Sequence, residues 1–584
     1  MRIALLALLI ATPWLSVTPA LAQESLPDDP LAPVGQDNEA PPPGETTPVL
    51  VHPVKEVPRD WREEFAAIRS GHWPEAQAGI AALPDGPLKP VAKAELYLAK
   101  GSPKVELAPL LALLAEAPDL PQADQLQRMA VARGAIEPPQ IAYEKPIISL
   151  GSSPRRQRAR PVSGDAAADS LRAKLDPLVK VNAAEDADLA LVAQWIFLSP
   201  EGRAEASQRV AWTYYILGRD IDARRIADAG RVGTRGEWSG QAAWIAGLAA
   251  WRGGDCGASQ NAFAETARQT SDRELGAAAS YWGARSAQAC RRAAEVEPLM
   301  LAAARFPDSF YGLVARETLG MPTRLPAPAP RSAAAAARPN AIRARELLAI
   351  GERALADSML REQARTGPEA EHRDLALLAG TLGLPGTQYW LAHNGPRGAA
   401  VDASVRFPTM RWTPSAGWRI DPALGHAHVR QESDFRTAVT SPAGAVGLMQ
   451  VRPGTAGDFA RARGVGLVTL TDPATNLEYG QSFIELMRGK SATRGQLLKV
   501  IAAYNAGPLP VDRWNSIYDK GDPLLWTESL PYWETRYYVP TVLRNMIVYQ
   551  GLSGEAQPEL KAIAEHRWPT FPAPRASLGA AISR

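Results

Sequence analysis

Residues 429–435 read VRQESDF and residues 441–450 read SPAGAVGLMQ, and these two stretches decide the interpretation of the chain. Asp421-Pro422 precedes them and supplies an N-cap and a first-turn proline for a helix. Glu432 would lie near the C-terminal end of that helix, where unpaired carbonyl groups and the helix dipole disfavour a carboxylate. Desolvation by aromatic neighbours would raise its pKa further, as a general acid near neutral pH requires. A single glutamate at a helix end is otherwise most often a surface residue.

The surrounding region is rich in aromatic residues and in helix signals. Fifteen Phe, Trp and Tyr residues lie between positions 411 and 551, above the chain average of 7%. Asp472-Pro473 repeats the capping pattern ahead of apolar residues at helical spacing. A further apolar helix runs to Gly507, a residue suited to end it. The sequence therefore predicts a compact α-helical domain over residues 406–552, and this domain holds the candidate chemistry.

The overall composition is that of an ordinary globular protein. The 584 residues include 64 Lys and Arg against 62 Asp and Glu, a formal net charge of +2. This balance argues against a protein that coats nucleic acid or an anionic membrane by bulk charge, and no nucleic-acid partner is expected. The presence of only two cysteines excludes a disulfide-rich scaffold, an iron–sulfur protein and a multi-cysteine zinc fold.

The N-terminus has the features of a signal peptide. Met1-Arg2 gives a positive start, an apolar run extends to Val17, and Ala20-Leu21-Ala22 has the small-x-small form of a cleavage site. We expect residues 1–22 to be cleaved and the protein to be exported; a retained anchor is the alternative. No later stretch approaches the roughly 20 apolar residues of a spanning helix, so no transmembrane segment is predicted.

Breaks rich in proline or basic residues divide the rest of the chain. Helical spacing of Ala and Leu predicts an α-superhelical repeat domain over residues 61–322, with a basic linker near 150–165. That linker could touch an acidic polymer, but its charge and lack of apolar periodicity favour a solvated segment. The remaining predicted segments are a disordered Pro-rich leader (23–60), a Pro/Ala linker (323–340), a helical linker domain (341–405) and a C-terminal tail without further signal (553–584).

The repeats have the period of paired helices. Gly218 and Gly253 close similar aromatic units 35 residues apart. One helix pair cannot bury its own apolar face, so stacked pairs form a curved solenoid. The predicted fold class is all-α, with an N-terminal superhelical solenoid and a C-terminal helical domain.

The two cysteines lie within the repeats. Cys256 and Cys290 are 34 residues apart, about one repeat unit, which could bring them together on neighbouring helices. Export would place them where a disulfide persists. We expect a structural disulfide between them, and two separate buried thiols are the alternative.

Four motifs follow one another in the C-terminal domain. They are QESxF (431–435), SxxGAxGLMQ (441–450), AYNAG (503–507) and ETRxYV (534–539). With these motifs the domain resembles the catalytic domain of the soluble lytic transglycosylases of the bacterial cell wall, which have a lysozyme-like fold. The helical repeats and the stretch FPDSFYG (306–312) also resemble the superhelical arm of that family, although helical repeats are less specific.

The resemblance implies that Glu432 is the single catalytic acid/base of a peptidoglycan lyase. It would protonate the glycosidic oxygen between N-acetylmuramic acid and N-acetylglucosamine. It would then accept the proton of the muramoyl C6 hydroxyl as that oxygen attacks C1, which closes a 1,6-anhydro ring without water. Glycosidases ordinarily need a second carboxylate, whereas in this family the N-acetyl group of the substrate is thought to stabilise C1. The resemblance also implies a periplasmic location, glycan strands as partner, and no cofactor.

Positions in the motifs imply further roles. The implied substrate-binding residues are Ser441, Gln450, Tyr504, Asn505 and Glu534. Arg536 is expected to be the structural partner of Glu534, and Ser433 to support the turn after Glu432. The candidates for stacking on sugar rings are Trp514, Trp526, Tyr532 and Trp533, and core packing is at least as good an explanation for each.

Two other functions and a metal site are alternatives to this interpretation. If Asp434 reached the cleft, a lysozyme-type hydrolase would be credible, but its position two residues from Glu432 directs it elsewhere. His426 and His428 are two residues apart and would face differently on a helix, so no metal site is predicted. A non-catalytic scaffold, whose solenoid recruits cell-wall proteins while the C-terminal domain binds glycan, is the third hypothesis.

Overall fold

The structure, a computed structural model, describes residues 56–466 and 468–574. The predicted signal peptide (1–22) lies outside the described residues, as do the leader up to residue 55 and the tail beyond residue 574. Helices dominate the described part, and the sheet found there has two short strands. No helix in these ranges is both long enough and apolar enough to cross a bilayer.

Five short helices begin the described part of the chain. They are α1 (Trp61–Arg69), α2 (Trp73–Ala82), α3 (Lys89–Leu98), α4 (Leu107–Glu116) and α5 (Ala123–Ala132), and strand β1 (Ile147–Ser149) follows them. Asp60 caps α1 through its side chain, which accepts a hydrogen bond from the Glu63 amide.

The solenoid consists of helices that each pack against the previous and the next one. They are α6 (Ala166–Lys180), α7 (Ala184–Gln194), α8 (Pro200–Ile216), α9 (Asp220–Arg231), α10 (Glu237–Gly253), α11 (Cys256–Gln269), α12 (Arg273–Ala289), α13 (Ala293–Ala304) and α14 (Phe310–Thr318). Cys256 begins α11 and Cys290 caps the end of α12, and the structure joins them in a disulfide with Cα atoms 5.5 Å apart.

Four more helices and a strand follow the solenoid. They are α15 (Pro339–Ala349), α16 (Arg353–Thr366), α17 (His372–Thr381), α18 (Pro385–His393) and β2 (Asn394–Pro396). These helices share one hydrophobic core with α1–α5, separate from the core that contains the solenoid. Strand β2 pairs antiparallel with β1, with Gly395 opposite Ile148.

This packing differs from the predicted division into one repeat domain at 61–322 and a separate helical segment at 341–405. Helices α1–α5, which belong to the predicted repeat domain, instead share a core with α15–α18 of the predicted helical segment. The apolar pattern of a helix such as α4 shows that one face is buried, but it does not show which distant segment buries it.

The C-terminal domain is built from short helices around one long helix. They are α19 (Pro422–Ser433), α20 (Pro453–Ala462), α21 (Pro473–Arg488), α22 (Leu497–Ala506), α23 (Pro508–Trp514), α24 (Pro523–Glu528), α25 (Trp533–Leu552) and α26 (Pro558–Ala564). The long helix α25 packs against α19 and α22. Its apolar residues belong to the same core as the solenoid, so the two parts are joined by packing.

The tail predicted at 553–584 has packed structure in its described part. Leu560 and Ile563 of α26 are fully buried. Beyond that helix, the ring of Trp568 contacts Trp526 at 5.4 Å. The sequence missed α26 because seven residues are too few to show a helical period.

The basic linker at residues 150–165 lies between the solenoid and the C-terminal domain, and we call residues 150–165 the strap. The Arg156 side chain is only 6% exposed and pairs with Glu528 at 3.2 Å. Its guanidinium carbon lies 4.5 Å from the ring centre of Trp244. The Gln157 amide donates a hydrogen bond to Asp272 at 2.7 Å. More than half of the strap residues are exposed, as expected of a solvated linker. The expectation fails at Arg156 and Gln157, which partners distant in sequence hold against the two parts.

Candidate active site

Glu432 lies in the last turn of α19. Asp421 starts this helix by accepting a hydrogen bond from the Ala423 amide at 2.8 Å. The helix stops where Asp434 adopts a left-handed conformation with φ of 50°. The Ser433 hydroxyl donates to the Leu448 carbonyl at 2.8 Å and so connects the helix end to residues 441–450, which we call the glycine-rich loop.

Burial and a neighbouring negative charge favour the neutral form of the Glu432 carboxyl. Burial raises its pKa to about 7; the hydrogen bond from Tyr538 opposes this rise, and the negative charge of Glu534 adds to it. The Tyr538 hydroxyl donates that hydrogen bond to Oε1 of Glu432. A carboxyl in this state can give and take a proton near neutral pH.

Tyr504, a residue of α22, lies beside Glu432. Its hydroxyl donates to the Met449 carbonyl at 2.6 Å, which connects α22 to the glycine-rich loop. Burial and the charge of Glu432 hold the pKa of Tyr504 well above its ordinary value. The ring packs edge-on against His428, with 4.7 Å between ring centres. Tyr504 is therefore a rigid neutral neighbour of the candidate acid.

Asn505 and Glu534 form a hydrogen-bonded pair at the site. The Asn505 amide nitrogen donates to Glu534 Oε1 at 2.9 Å. The Asn505 oxygen accepts a hydrogen bond from the Thr535 hydroxyl at 2.6 Å. These bonds fix the orientation of the amide and join α22 to the start of α25. Glu534 is exposed and remains accessible to a ligand.

The glycine-rich loop is held by Asn476 of α21. Its side-chain nitrogen donates to the carbonyls of Val446 and Leu470, both at 2.8 Å, and its oxygen accepts from the Met449 amide at 2.8 Å. Gly447 has φ of +77°, and a Cβ there would lie 2.4 Å from the Asn476 nitrogen. Glycine is thus required by both backbone conformation and space.

Ser441 and Gln450 are used inside this loop. The Ser441 hydroxyl accepts a hydrogen bond from the Ala445 amide at 3.0 Å. The Gln450 side-chain nitrogen donates to the Gly447 carbonyl at 3.0 Å and to the Val439 carbonyl at 3.2 Å. The structure therefore gives both side chains a role in shaping the loop.

Arg536 does not pair with Glu534. It points to the other side of α25, where its guanidinium carbon lies 3.4 Å from the ring centre of Trp212 in the solenoid. Glu534 and Arg536 are two residues apart on one helix, so their side chains diverge. The expectation that Arg536 is the structural partner of Glu534 is wrong.

The aromatic candidates for sugar stacking have different surroundings. Trp526 is fully buried and donates from its indole nitrogen to the Trp514 carbonyl at 3.1 Å, so both rings belong to the core. Trp533 packs on Tyr537 with ring centres 4.5 Å apart. Tyr532 is 51% exposed at the start of α25 and is the most accessible of the four rings.

The two histidines of α19 are structural. His426 and His428 are buried, and each hydrogen-bonds through Nδ1 to the carbonyl four residues earlier. Burial lowers the pKa of each to about 4, so both rings are neutral. Within residues 56–466 and 468–574, no cluster of three His, Cys, Asp or Glu could hold a metal ion.

Asp434 turns away from Glu432. Its carboxylate contacts the Tyr389 hydroxyl of α18; burial raises the pKa of Asp434, while this hydrogen bond and the charge of Arg430 oppose the rise. No role is predicted for Tyr538 from the motifs, although Tyr538 lies four residues after Glu534 and so on the same face of α25. That spacing could have identified it.

The C-terminal domain matches known proteins in sequence. Residues 413–526 match the family described as the transglycosylase SLT domain. The soluble lytic murein transglycosylase of Escherichia coli K12 is 33% identical over 156 residues, or 26% of this chain and 24% of that protein. The Salmonella typhimurium protein of the same name is 34% identical over 148 residues, or 24% and 22%. The chain thus spans about a quarter of the length of these curated relatives.

Solved structures extend the similarity to the whole fold. The 70 kDa soluble lytic transglycosylase of Escherichia coli is 19% identical and superimposes with a TM-score of 0.51 over 88% of this chain and 99% of that chain. The lytic transglycosylase Slt of Pseudomonas aeruginosa, solved as an inactive mutant, is 19% identical with a TM-score of 0.51 over 85% and 81%. This similarity confirms the predicted fold class of a helical superhelix with a lysozyme-like domain. The domain match and the curated relatives thus show that the C-terminal domain carries a transglycosylase SLT domain and is similar to the soluble lytic murein transglycosylases.

Proposed function

We propose that the chain is a lytic transglycosylase that cleaves the β-1,4 bond between N-acetylmuramic acid and N-acetylglucosamine in peptidoglycan. The observation that carries the proposal is the state of Glu432, whose carboxyl has a pKa raised to about 7 and accepts a hydrogen bond from Tyr538. It lies in the part of the chain that matches the transglycosylase SLT domain.

Glu432 would act first as an acid and then as a base. Its proton passes to the glycosidic oxygen as the bond from that oxygen to C1 of the muramoyl residue breaks. The muramoyl C6 oxygen attacks C1, and its proton passes to the Glu432 carboxylate. The carboxyl is restored, a 1,6-anhydro ring has formed, and no water has been consumed.

The surroundings of Glu432 support a mechanism with one carboxyl. Asp434 is turned towards Tyr389 and does not share the site. Glu534 is the neighbouring carboxylate whose charge acts on Glu432, and it is held by Asn505 at 2.9 Å. We assign Glu534 to substrate binding, because it is exposed at the start of α25 and can accept hydrogen bonds from sugar hydroxyl or amide groups.

The remaining predicted binding residues fall into two groups in this proposal. Tyr504 and Asn505 lie at the site through α22 and would contact the sugars on either side of the scissile bond. Ser441 and Gln450 already bond within the glycine-rich loop, so they would contribute mainly by shaping the wall of the cleft. Exposed Tyr532 is the ring best placed to stack on a sugar.

The test is a digest of purified peptidoglycan by residues 23–584 and by the variants Glu432→Gln and Asp434→Asn, with the products resolved by mass. We expect products one water lighter than reducing muropeptides from the unchanged chain and from Asp434→Asn. We expect a loss of at least 100-fold in rate for Glu432→Gln, since proton transfer contributes about 10²–10⁴-fold.

Each other outcome has a definite meaning. Reducing-end products that disappear with Asp434→Asn would identify a hydrolase with two carboxyl groups. Glycan binding without cleavage by the unchanged chain would favour a non-catalytic scaffold. Full activity of Glu432→Gln would refute the assignment of the acid/base.

We also propose that the protein works after export to the periplasm, where its substrate lies. The support is the signal-peptide pattern at residues 1–22, which precedes the described part of the chain. N-terminal sequencing of the protein recovered from a periplasmic fraction should begin at Gln23. A chain that retains Met1 in the membrane fraction would contradict this proposal.

A further inference from the structure

The chain turns sharply just after Glu432, in an unusual backbone conformation. Asp434 and Phe435 both have positive φ, of 50° and 66°, and we call these two residues the left-handed turn. Glycine adopts this region freely and Asp or Asn tolerates it, but a bulky residue such as Phe rarely does. Strained residues persist only where the surrounding structure holds them, and they occur most often at functional sites. The contacts that hold this turn therefore bear on Glu432.

Helix α18 lies against the left-handed turn. A Cβ on Gly386 would lie 3.4 Å from the Phe435 carbonyl oxygen and 3.7 Å from that of Asp434, so the two backbones approach closely. The Tyr389 ring centre is 6.5 Å from that of Phe435. The Tyr389 hydroxyl donates a hydrogen bond to the Asp434 carboxylate. Tyr389 thus contacts both residues of the turn.

Tyr389 is itself held in place. Its ring packs on His393 with 4.2 Å between ring centres, and the guanidinium carbon of Arg430 lies 5.4 Å from its ring centre. Burial raises the pKa of the Tyr389 hydroxyl to about 12, the charge of Asp434 adds to the rise, and the charge of Arg430 opposes it. The hydroxyl therefore keeps its proton and remains a donor to Asp434 at neutral pH.

The same helix is anchored in the other hydrophobic core. Leu391 and Ala392 of α18 are fully buried in the core that α15–α18 share with α1–α5. Tyr389 packs instead against the core of the solenoid and the C-terminal domain. Helix α18 thus connects the two cores at the point where α19 ends.

We infer that Tyr389 is a positioning residue for Glu432, an inference that rests on the proposed function. Tyr389 holds the left-handed turn, and this turn fixes the last turn of α19, which carries Glu432. Without the bond from Tyr389, Asp434 can return to a right-handed conformation, and Glu432 then shifts relative to Tyr538 and to the scissile bond. A displacement of about 1 Å can lower a rate about 10²-fold. The core of α1–α5 and α15–α18 thereby supports catalysis from outside the cleft.

The first test measures kcat and KM on soluble peptidoglycan strands. Tyr389→Phe removes only the hydroxyl, and we expect kcat to fall about 10-fold with KM unchanged, because the sugar contacts remain. Asp434→Gly removes the acceptor but relieves the backbone strain, and it should lose as much. Asp434→Asn keeps an accepting oxygen and tolerates the left-handed region, so it should retain at least half of the activity.

The matched control removes the same kind of bond elsewhere. The Tyr214 hydroxyl donates to Asp188 at 3.2 Å within the solenoid. Tyr214→Phe should therefore leave kcat unchanged. A loss of equal size in Tyr214→Phe and Tyr389→Phe would show a general effect of losing such a bond and would overturn the inference.

The pH profile separates positioning from a general loss of stability. Glu432 must be protonated to act first as an acid, so kcat/KM should fall above its pKa of about 7. A loosened turn admits water and brings this pKa closer to its ordinary value. In Tyr389→Phe the fall should therefore move to lower pH by about half a unit or more. The titratable groups that act on Glu432 are the same in all these chains, and they are Tyr504, Glu534 and Tyr538.

A further measurement does not need cleavage. The gain in free energy of unfolding that Glu432→Gln gives at pH 8 reports how strongly the fold disfavours the carboxylate. This gain should shrink to about half or less when Tyr389→Phe is also present. Tyr214→Phe should leave the gain unchanged.

Several results would overturn the inference. They are an unchanged kcat and pH profile in Tyr389→Phe, and full activity of Asp434→Gly, which decides the question even if Tyr389→Phe does not fold. Absence of cleavage by the unchanged chain would refute the proposed function. The unfolding comparison then decides the role of Tyr389 alone, and an unchanged gain would exclude it.

Discussion

At the scale of single residues, the carboxyl of Glu432 connects catalysis to stability. Burial raises its pKa from 4.5 to about 7. Below about pH 4.5 the carboxyl is protonated in both the folded and the unfolded chain, so it does not change the free energy of unfolding. As the pH rises, the unfolded chain releases the proton first. The free energy of unfolding therefore falls between about pH 4.5 and pH 7 and stays lower above that range.

Removing this carboxyl should stabilise the protein at alkaline pH. The pKa difference corresponds to about 3 kcal/mol at most, and partial access of solvent reduces it. We expect Glu432→Gln to raise the free energy of unfolding by about 1–3 kcal/mol near pH 8, and to change it by less than about 0.5 kcal/mol near pH 4.5. Urea unfolding at both pH values measures this. The exposed Glu137→Gln removes the same charge and serves as the control; an equal gain there would contradict the explanation.

The helix-end position of Glu432 and the need for desolvation could be argued from sequence. The group that donates a hydrogen bond to Glu432 could not be identified from sequence, because Tyr538 comes 106 residues later. The incorrect pairing of Arg536 with Glu534 is different. Their spacing of two residues already places the side chains on different faces of a helix, so the sequence contained the argument against that pair.

At the scale of secondary-structure elements, α10 and α11 approach closely at a glycine. Gly247 lies in the middle of α10, and a Cβ there would be 2.6 Å from Cε1 of Phe263 on α11. Gly253 ends the same helix and has no atom within 4 Å of its hypothetical Cβ. The two glycines lie in the same helix, but only Gly247 faces a closely packed neighbour.

Alanine at these two positions should have opposite effects. In Gly247→Ala the added methyl group must displace the Phe263 ring or push α10 and α11 apart. We expect a loss of about 1–3 kcal/mol in the free energy of unfolding. Gly253→Ala should be neutral or stabilising by up to about 0.5 kcal/mol, because it reduces the entropy of the unfolded chain. Thermal unfolding of both variants checks this, and a similar loss in both would show that the close approach is not the cause.

Helix starts were the most predictable elements. Asp421-Pro422 and Asp472-Pro473 predicted the starts of α19 and α21, because capping is a local interaction. The partner of a helix is not local. The pattern of α4, LAPLLALLAE, shows buried positions but nothing about α15–α18, which complete its core.

At the scale of the whole molecule, the strap couples the solenoid to the C-terminal domain. Arg156 connects Glu528 of α24 to Trp244 of α10. Both charged side chains are almost completely buried, with 6% and 3% of their surfaces exposed. Removing one member of such a pair leaves the other charge buried without compensation.

Arg156→Met should loosen the contact between these two parts. We expect a loss of about 3–5 kcal/mol in the free energy of unfolding, together with faster proteolysis within residues 150–165. The double variant Arg156→Met/Glu528→Gln removes both charges and should recover at least half of the loss. If the double variant is as unstable as the single one, the ion pair is not the cause of the coupling.

The core shared by α1–α5 and α15–α18 has a consequence for synthesis. Ala335, where the later part of this core begins, follows Ala130 of α5 by 205 residues. At about 5–20 residues per second, roughly 10–40 s separate the emergence of the two halves from the ribosome. During that interval helices α1–α5 can pack on one another but lack α15–α18. They therefore cannot complete their native core until residue 405 is available, and their remaining apolar faces need protection until then.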